Sequence, residues 1–69
     1  MAKFGDNLKM LRTINGLSQK SFAEKLSTTQ QRVSEWERNL VEPSLSSILK
    51  IIKVLDTTFE ELTENIDDK

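Results

Sequence analysis

The stretch TTQQRVSEWE, residues 28–37, sets two carboxamides side by side. A glutamine side chain pairs a donor with an acceptor. Its nitrogen donates to adenine N7 and its oxygen accepts from the adenine N6 amino group, so Gln30 and Gln31 carry the atoms to read neighbouring base pairs in a major groove. Thr29 offers a hydroxyl for a phosphate and a methyl for contact with a thymine methyl. Ser34 is short enough to touch backbone or base. Glu35 would accept from cytosine N4 but repels phosphate unless Arg32 neutralises it, which makes it a discriminator rather than a source of affinity. Arg32 has two readings, a contact to phosphate or guanine and a surface charge paired with Glu35 at i, i+3. The plain alternative for the two glutamines is that they are good helix formers facing solvent.

Composition removes most other chemistry. The chain has 69 residues, with no cysteine and no histidine. That length makes one small domain, able to bury about 60% of its unfolded surface. Disulfides, thiolate or imidazole metal sites, Ser-His and Cys-His nucleophilic pairs and imidazole acid-base catalysis are all excluded. Glu60, Glu61 and Glu64 cluster, but a bundle of this size offers no concavity to perturb them, so no enzyme activity, metal or cofactor is expected. No apolar run approaches the roughly 20 residues needed to cross a bilayer, and a soluble cytoplasmic protein is expected. The formal net charge is −1, yet it is unevenly spread: residues 1–32 hold six cations against two carboxylates, and residues 33–69 four against nine. The first half can present a modest positive field that the whole chain does not.

Positioning the glutamines requires helices. Apolar residues recur at helical spacing through Phe4, Leu8 and Leu11, then Phe22, Ala23 and Leu26, then Val33 and Trp36, then Leu45, Ile48, Leu49, Ile52 and Leu55. Start and stop signals divide the chain into five short helices. Gly16 suits the left-handed residue that ends the first, Ser18 caps the second, Thr29 the third, Pro43 and Ser44 open the fourth, and TFEE (residues 58–61) reads as a capping box for the fifth. Residues 1–62 form the domain, and the acidic segment 63–69 is expected to fray. Only Ser27, Thr28 and Thr29 separate the second helix from the third, a spacing that favours a crossing of about 90–120° over an antiparallel hairpin. Ala23 permits close approach, and Phe22, Leu26, Val33 and Trp36 fill the angle. Gln30, Gln31, Ser34 and Glu35 then share an exposed face, with Arg32 beside it. This is a helix-turn-helix pattern whose third helix can enter a major groove.

From Phe4 to Leu62 the chain resembles the phage-repressor and Cro-like (Xre-type) helix-turn-helix regulators. The resemblance is carried in order by FGDNLKMLR, GLSQKSFAEKL, WER, EPSLSSILKI and LDTTFEEL. It implies an all-α, five-helix, lambda-repressor-like bundle that binds a pseudo-palindromic operator in double-stranded DNA as a homodimer and regulates transcription, as a repressor of phage or mobile-element type. TTQQ resembles the tip of lambdoid repressors that use paired glutamines on bases. Two positions depart from the pattern: Ser27 and Asn39 stand where the family commonly has glycine, and both are residues that tolerate the substitution.

The resemblance assigns further roles. Gln19, in the SQ position at a helix start where free amides and the positive dipole end favour an anion, is expected to clamp a DNA phosphate, with Ser18 as cap. Lys20, Lys9, Arg38 and Asn39 are lesser candidates for backbone contacts that carry no sequence information. Arg12 and Glu37 are expected to form a partly buried structural ion pair, and Trp36 to be core. The loop RNLVEPS has Arg38 as its only cation, which implies few phosphate contacts and a shallow salt dependence. Exposed Leu40 and Val41 suit either a second subunit or local packing. A different class of function also fits the scaffold: a protein-interaction module such as an antitoxin, docking through the acidic second half.

Overall fold

The computed structural model describes residues 3–64. Its elements are α1 (Phe4–Ile14), α2 (Gln19–Leu26), α3 (Gln30–Glu37), α4 (Leu45–Leu55) and α5 (Phe59–Leu62), and no strand occurs among the described residues. The five-helix reading therefore holds for the described residues, with boundaries where the start and stop residues place them.

The reason lies at the helix ends. Ser18, Thr29, Ser44 and Thr58 each turn a hydroxyl oxygen onto the backbone N–H three residues later, at 3.0, 3.1, 3.2 and 3.1 Å. Each cap satisfies one of the orphan amides of a first turn and stabilises by about 1 kcal/mol relative to alanine. The far ends close in a common way too. Gly16, Ser27, Asn39 and Asp56 adopt left-handed backbone conformations with φ of 71°, 59°, 61° and 51°. The next N–H after each reaches back five residues to a helix carbonyl: Leu17 to Arg12, Thr28 to Ala23, Leu40 to Glu35 and Thr57 to Ile52. Four helices thus end in the same reverse-turn closure, though only one uses glycine. At α5 the expected capping box is half present. Thr58 caps Glu61 N–H, but the Glu61 carboxylate accepts from the hydroxyls of Thr57 and Thr58 rather than from the Thr58 amide.

The core is built from Leu8 of α1, Phe22, Ala23 and Leu26 of α2, Val33 and Trp36 of α3, Ile51 and Leu55 of α4, and Leu62 of α5, all at most 4% exposed. Phe4, Leu11, Ile48 and Ile52 pack on its margin. α2 and α3 pack on one another, α1 braces α3, α4 covers α2, and α5 lies on α1. Leu45 and Leu49, which share the helical spacing of the α4 core residues, instead face outward at 72% and 54% exposure. Helical spacing identifies one broad apolar stripe on α4, of which only the side carrying Ile51 and Leu55 is buried.

Two polar details organise the end of α5. Asn7 is buried, and its Nδ2 donates to the carbonyls of Leu62 and Glu64 at 2.9 and 2.8 Å, tying the end of α5 to α1. Thr63 Oγ1 donates to the Phe59 carbonyl at 2.8 Å. Of the acidic segment 63–69, residues 65–69 lie outside the described residues.

Candidate nucleic-acid interface

α3 owes its orientation to its buried side. Val33 and Trp36 are 0% and 2% exposed and anchor the helix on α1 and α2, which leaves Gln30, Gln31 and Arg32 exposed and Ser34 and Glu35 half-buried beside them. Eight residues make a helix about 12 Å long, a length that fits the roughly 12 Å width of a B-DNA major groove. Among the described residues the carboxamides of Gln30 and Gln31 and the guanidinium of Arg32 make no hydrogen bond or ion pair within the protein. Their donors and acceptors face solvent unspent. Thr29 sits at the N-cap, where its Oγ1 accepts from Arg32 N–H and keeps its own hydrogen available for an external acceptor.

At the start of α2 the Ser18 hydroxyl is fully engaged, accepting from Ser21 N–H and donating to Ser21 Oγ, both at 3.0 Å. What remains open there are the first-turn backbone amides of Gln19 and Lys20, which have no partner one turn back. The Gln19 side chain is turned inward, and its Nε2 donates to Glu37 Oε1 at 3.0 Å. Lys9, Lys20, Arg38 and Asn39 are exposed. Asn39 also has an internal task, since its Oδ1 accepts from Gly5 N–H at 3.0 Å.

Arg12 and Glu37 form an ion pair from α1 to the last residue of α3, with side chains only 11% and 3% exposed. Arg12 Nη2 donates to Glu37 Oε1 at 3.1 Å, its Nε bonds the other carboxylate oxygen, and its Nη1 donates to the Leu17 carbonyl at 2.7 Å. The forked guanidinium therefore ties α1, the residue before the α2 cap, and the C-terminus of α3. No other salt bridge occurs among the described residues, so Arg32 and Glu35 are not paired.

Sequence reasoning missed Gly5 and Asn7. Asn7 falls at the same helical spacing as Phe4, Leu8 and Leu11, and a polar residue on a core face needs buried partners, which could have marked it. Gly5 inside a helix was the corresponding signal for close approach.

A helix-turn-helix family profile matches residues 8–62. The chain is 33% identical over 60 residues to the HTH-type transcriptional activator BcrR of Enterococcus faecalis, covering 87% of this chain and 29% of that protein. It is 34% identical over 59 residues to YonR, an SPbeta prophage-derived HTH-type transcriptional regulator of Bacillus subtilis strain 168, covering 86% of this chain and 55% of that one. The chain thus spans well under two thirds of either relative. Among solved structures it is similar to the restriction-modification controller protein C.AhdI from Aeromonas hydrophila, with a TM-score of 0.81, 39% identity and 86% of both chains covered.

Proposed function

This chain belongs to the Cro/C1-type helix-turn-helix family of DNA-binding transcriptional regulators, and from that premise we propose that it reads a specific pseudo-palindromic operator in double-stranded DNA as a homodimer, acting in the cytoplasm as a repressor of phage or mobile-element type. The observation that carries this reading is the N-terminal turn of α3: two adjacent carboxamides, exposed and unbonded, on a helix anchored from behind by Val33 and Trp36. Gln30 and Gln31 read adenine edges. Ser34 and Glu35 contact bases beside them, Glu35 favouring cytosine. Thr29, Arg32 and the start of α2 at Gln19 and Lys20 hold phosphates, with Ser18, its hydroxyl spent on Ser21, serving as the cap and Arg38 and Asn39 adding contacts at the end of α3.

The homodimer is supported by the outward apolar groups. Leu45 and Leu49 lie one turn apart on α4, Phe59 opens α5 at 54% exposure, and Leu40 and Val41 stand in the preceding loop at 63% and 47%. Lys50 and Lys53 on α4 and Glu60 and Glu61 on α5 are exposed, so a two-fold pairing of α4 with the second copy's α5 would bring together segments of opposite charge. Two α3 helices about 34 Å apart would then occupy successive major grooves.

Selection from a randomised duplex pool at low and physiological salt tests the reading. The expected result is an enriched inverted repeat with adenines at fixed places in each half-site. No enrichment at either salt overturns it and returns the weight to a protein-interaction module.

A further inference from the structure

Glu37 receives hydrogen bonds from two elements at once: the Arg12 fork from α1 and the Gln19 carboxamide from the first residue of α2. A carboxylate can only accept, so the Gln19 atom facing it must be Nε2, and the orientation of that carboxamide is chemically determined. A phosphate oxygen also only accepts. The nitrogen that faces Glu37 is therefore the same nitrogen that would meet a DNA phosphate, with one of its two hydrogens for each. Arg12 makes this arrangement possible. With its guanidinium bidentate on Glu37 the carboxylate is neutralised, and the Arg12 bond to the Leu17 carbonyl fixes the backbone immediately before the α2 cap.

We infer that the Arg12–Glu37 pair is a positioning device for DNA-backbone binding, in which Glu37 fixes one Gln19 Nε2 hydrogen so that the other is aimed outward beside the open first-turn amides of α2. Gln19 is half-buried and starts α2, while Glu37 ends α3. The contact therefore registers the phosphate-binding end of one helix against the base-reading helix itself. A charge pair placed only for stability would need no third partner on α2. The inference rests on the DNA-binding reading above and adds to it a requirement: backbone affinity at Gln19 depends on residues that never touch DNA.

The test is a thermodynamic cycle. Gln19→Ala is measured in the parent chain and in a background carrying Arg12→Met with Glu37→Leu, a replacement that keeps volume without leaving a lone buried charge. Binding to the selected duplex is read for proteins of verified helicity. In the parent, Gln19→Ala is expected to weaken binding roughly tenfold, equally for matched and mismatched duplexes. In the replaced background the same change is expected to weaken it less than about threefold, because the contact is already lost. Equal factors in the two backgrounds overturn the inference.

Should the replaced background fail to fold, nuclear magnetic resonance of the Gln19 side-chain amide in the unmutated chain decides. Two separated Nε2 proton signals, one protected from solvent exchange and the other shifting on duplex addition, support the arrangement. Two signals exchanging at the rate of a free amide overturn it. A parent chain that shows the protected proton but binds no duplex overturns the DNA-binding reading itself, which separates the two failures.

Discussion

The backbone N–H of Gly5 donates to the side-chain oxygen of Asn39 at 3.0 Å, so the first turn of α1 is capped from beyond the C-terminus of α3. The same Asn39 holds the left-handed conformation that closes α3. One residue thus ends α3 and helps to begin α1, the helix that braces it. The approach leaves no room for a side chain: a Cβ on residue 5 would lie 2.5 Å from the carbonyl oxygens of both Trp36 and Glu37. Alanine is the better helix former by about 1 kcal/mol, but displacing two backbone carbonyls outweighs that gain. Gly5→Ala is expected to destabilise by about 2 kcal/mol in urea titration. A more stable variant would show that propensity, not the carbonyl contact, governs this position.

Asn39 separates two contributions. Asn39→Gly keeps the left-handed backbone and loses the bond from Gly5, at a cost of about 1 kcal/mol. Asn39→Ala loses both and is expected to cost about 2–3 kcal/mol. The stability order Asn, Gly, Ala is the expected outcome of equilibrium unfolding, and an alanine variant as stable as the glycine one would mean that the backbone conformation carries no strain.

Ser27 offers a gain. Its φ of 59° is one that serine adopts reluctantly and glycine freely. Being exposed, its side chain has no packing to lose. Ser27→Gly should stabilise by about 1 kcal/mol, raising the melting temperature by roughly 4–8 °C in a domain this small. Calorimetry showing no rise would imply that the greater freedom of glycine in the unfolded chain cancels the relief.

Gln30→Ala and Gln31→Ala should act on recognition alone. Each is expected to weaken binding to the selected operator by about 1–3 kcal/mol while leaving affinity for an unrelated duplex unchanged. Both residues are exposed and unbonded within the described structure, so thermal stability should move by less than about 0.5 kcal/mol. Equal losses on both duplexes would reassign the glutamines from bases to backbone.

Leu49 reports on association. Leu49→Glu places a charge on the outward α4 face and is expected to raise the dimer dissociation constant at least about tenfold in sedimentation equilibrium, without lowering the stability of the monomer. Unchanged association would remove α4 from the interface.

Much of this architecture is legible in residue order because its signals are local. A serine or threonine hydroxyl caps the amide three residues ahead, and a left-handed residue closes the turn behind it. Ser18, Thr29, Ser44, Thr58 and Gly16 therefore mark helix ends without reference to the rest of the chain. The glutamine pair is visible for the same reason. Asp56 was not, since an aspartate that ends a helix in a left-handed turn looks in sequence like any surface acid.

What residue order determined on its own was the set of helices, the short connection between α2 and α3, and the chemistry offered at residues 28–37. All of these depend on groups within one helical turn of each other, and hydrogen-bond geometry over that distance is nearly context-free. Tertiary structure alone decided which side of the apolar stripe of α4 faces the core, that Asn7 ties α1 to α5, that Gly5 admits the carbonyls of α3, and that Gln19 turns its nitrogen onto Glu37. Each of those outcomes joins residues 18 or more positions apart in the chain or follows from how helices lie on one another, where helical periodicity is the same for a buried face and an exposed one and only the packed arrangement distinguishes them.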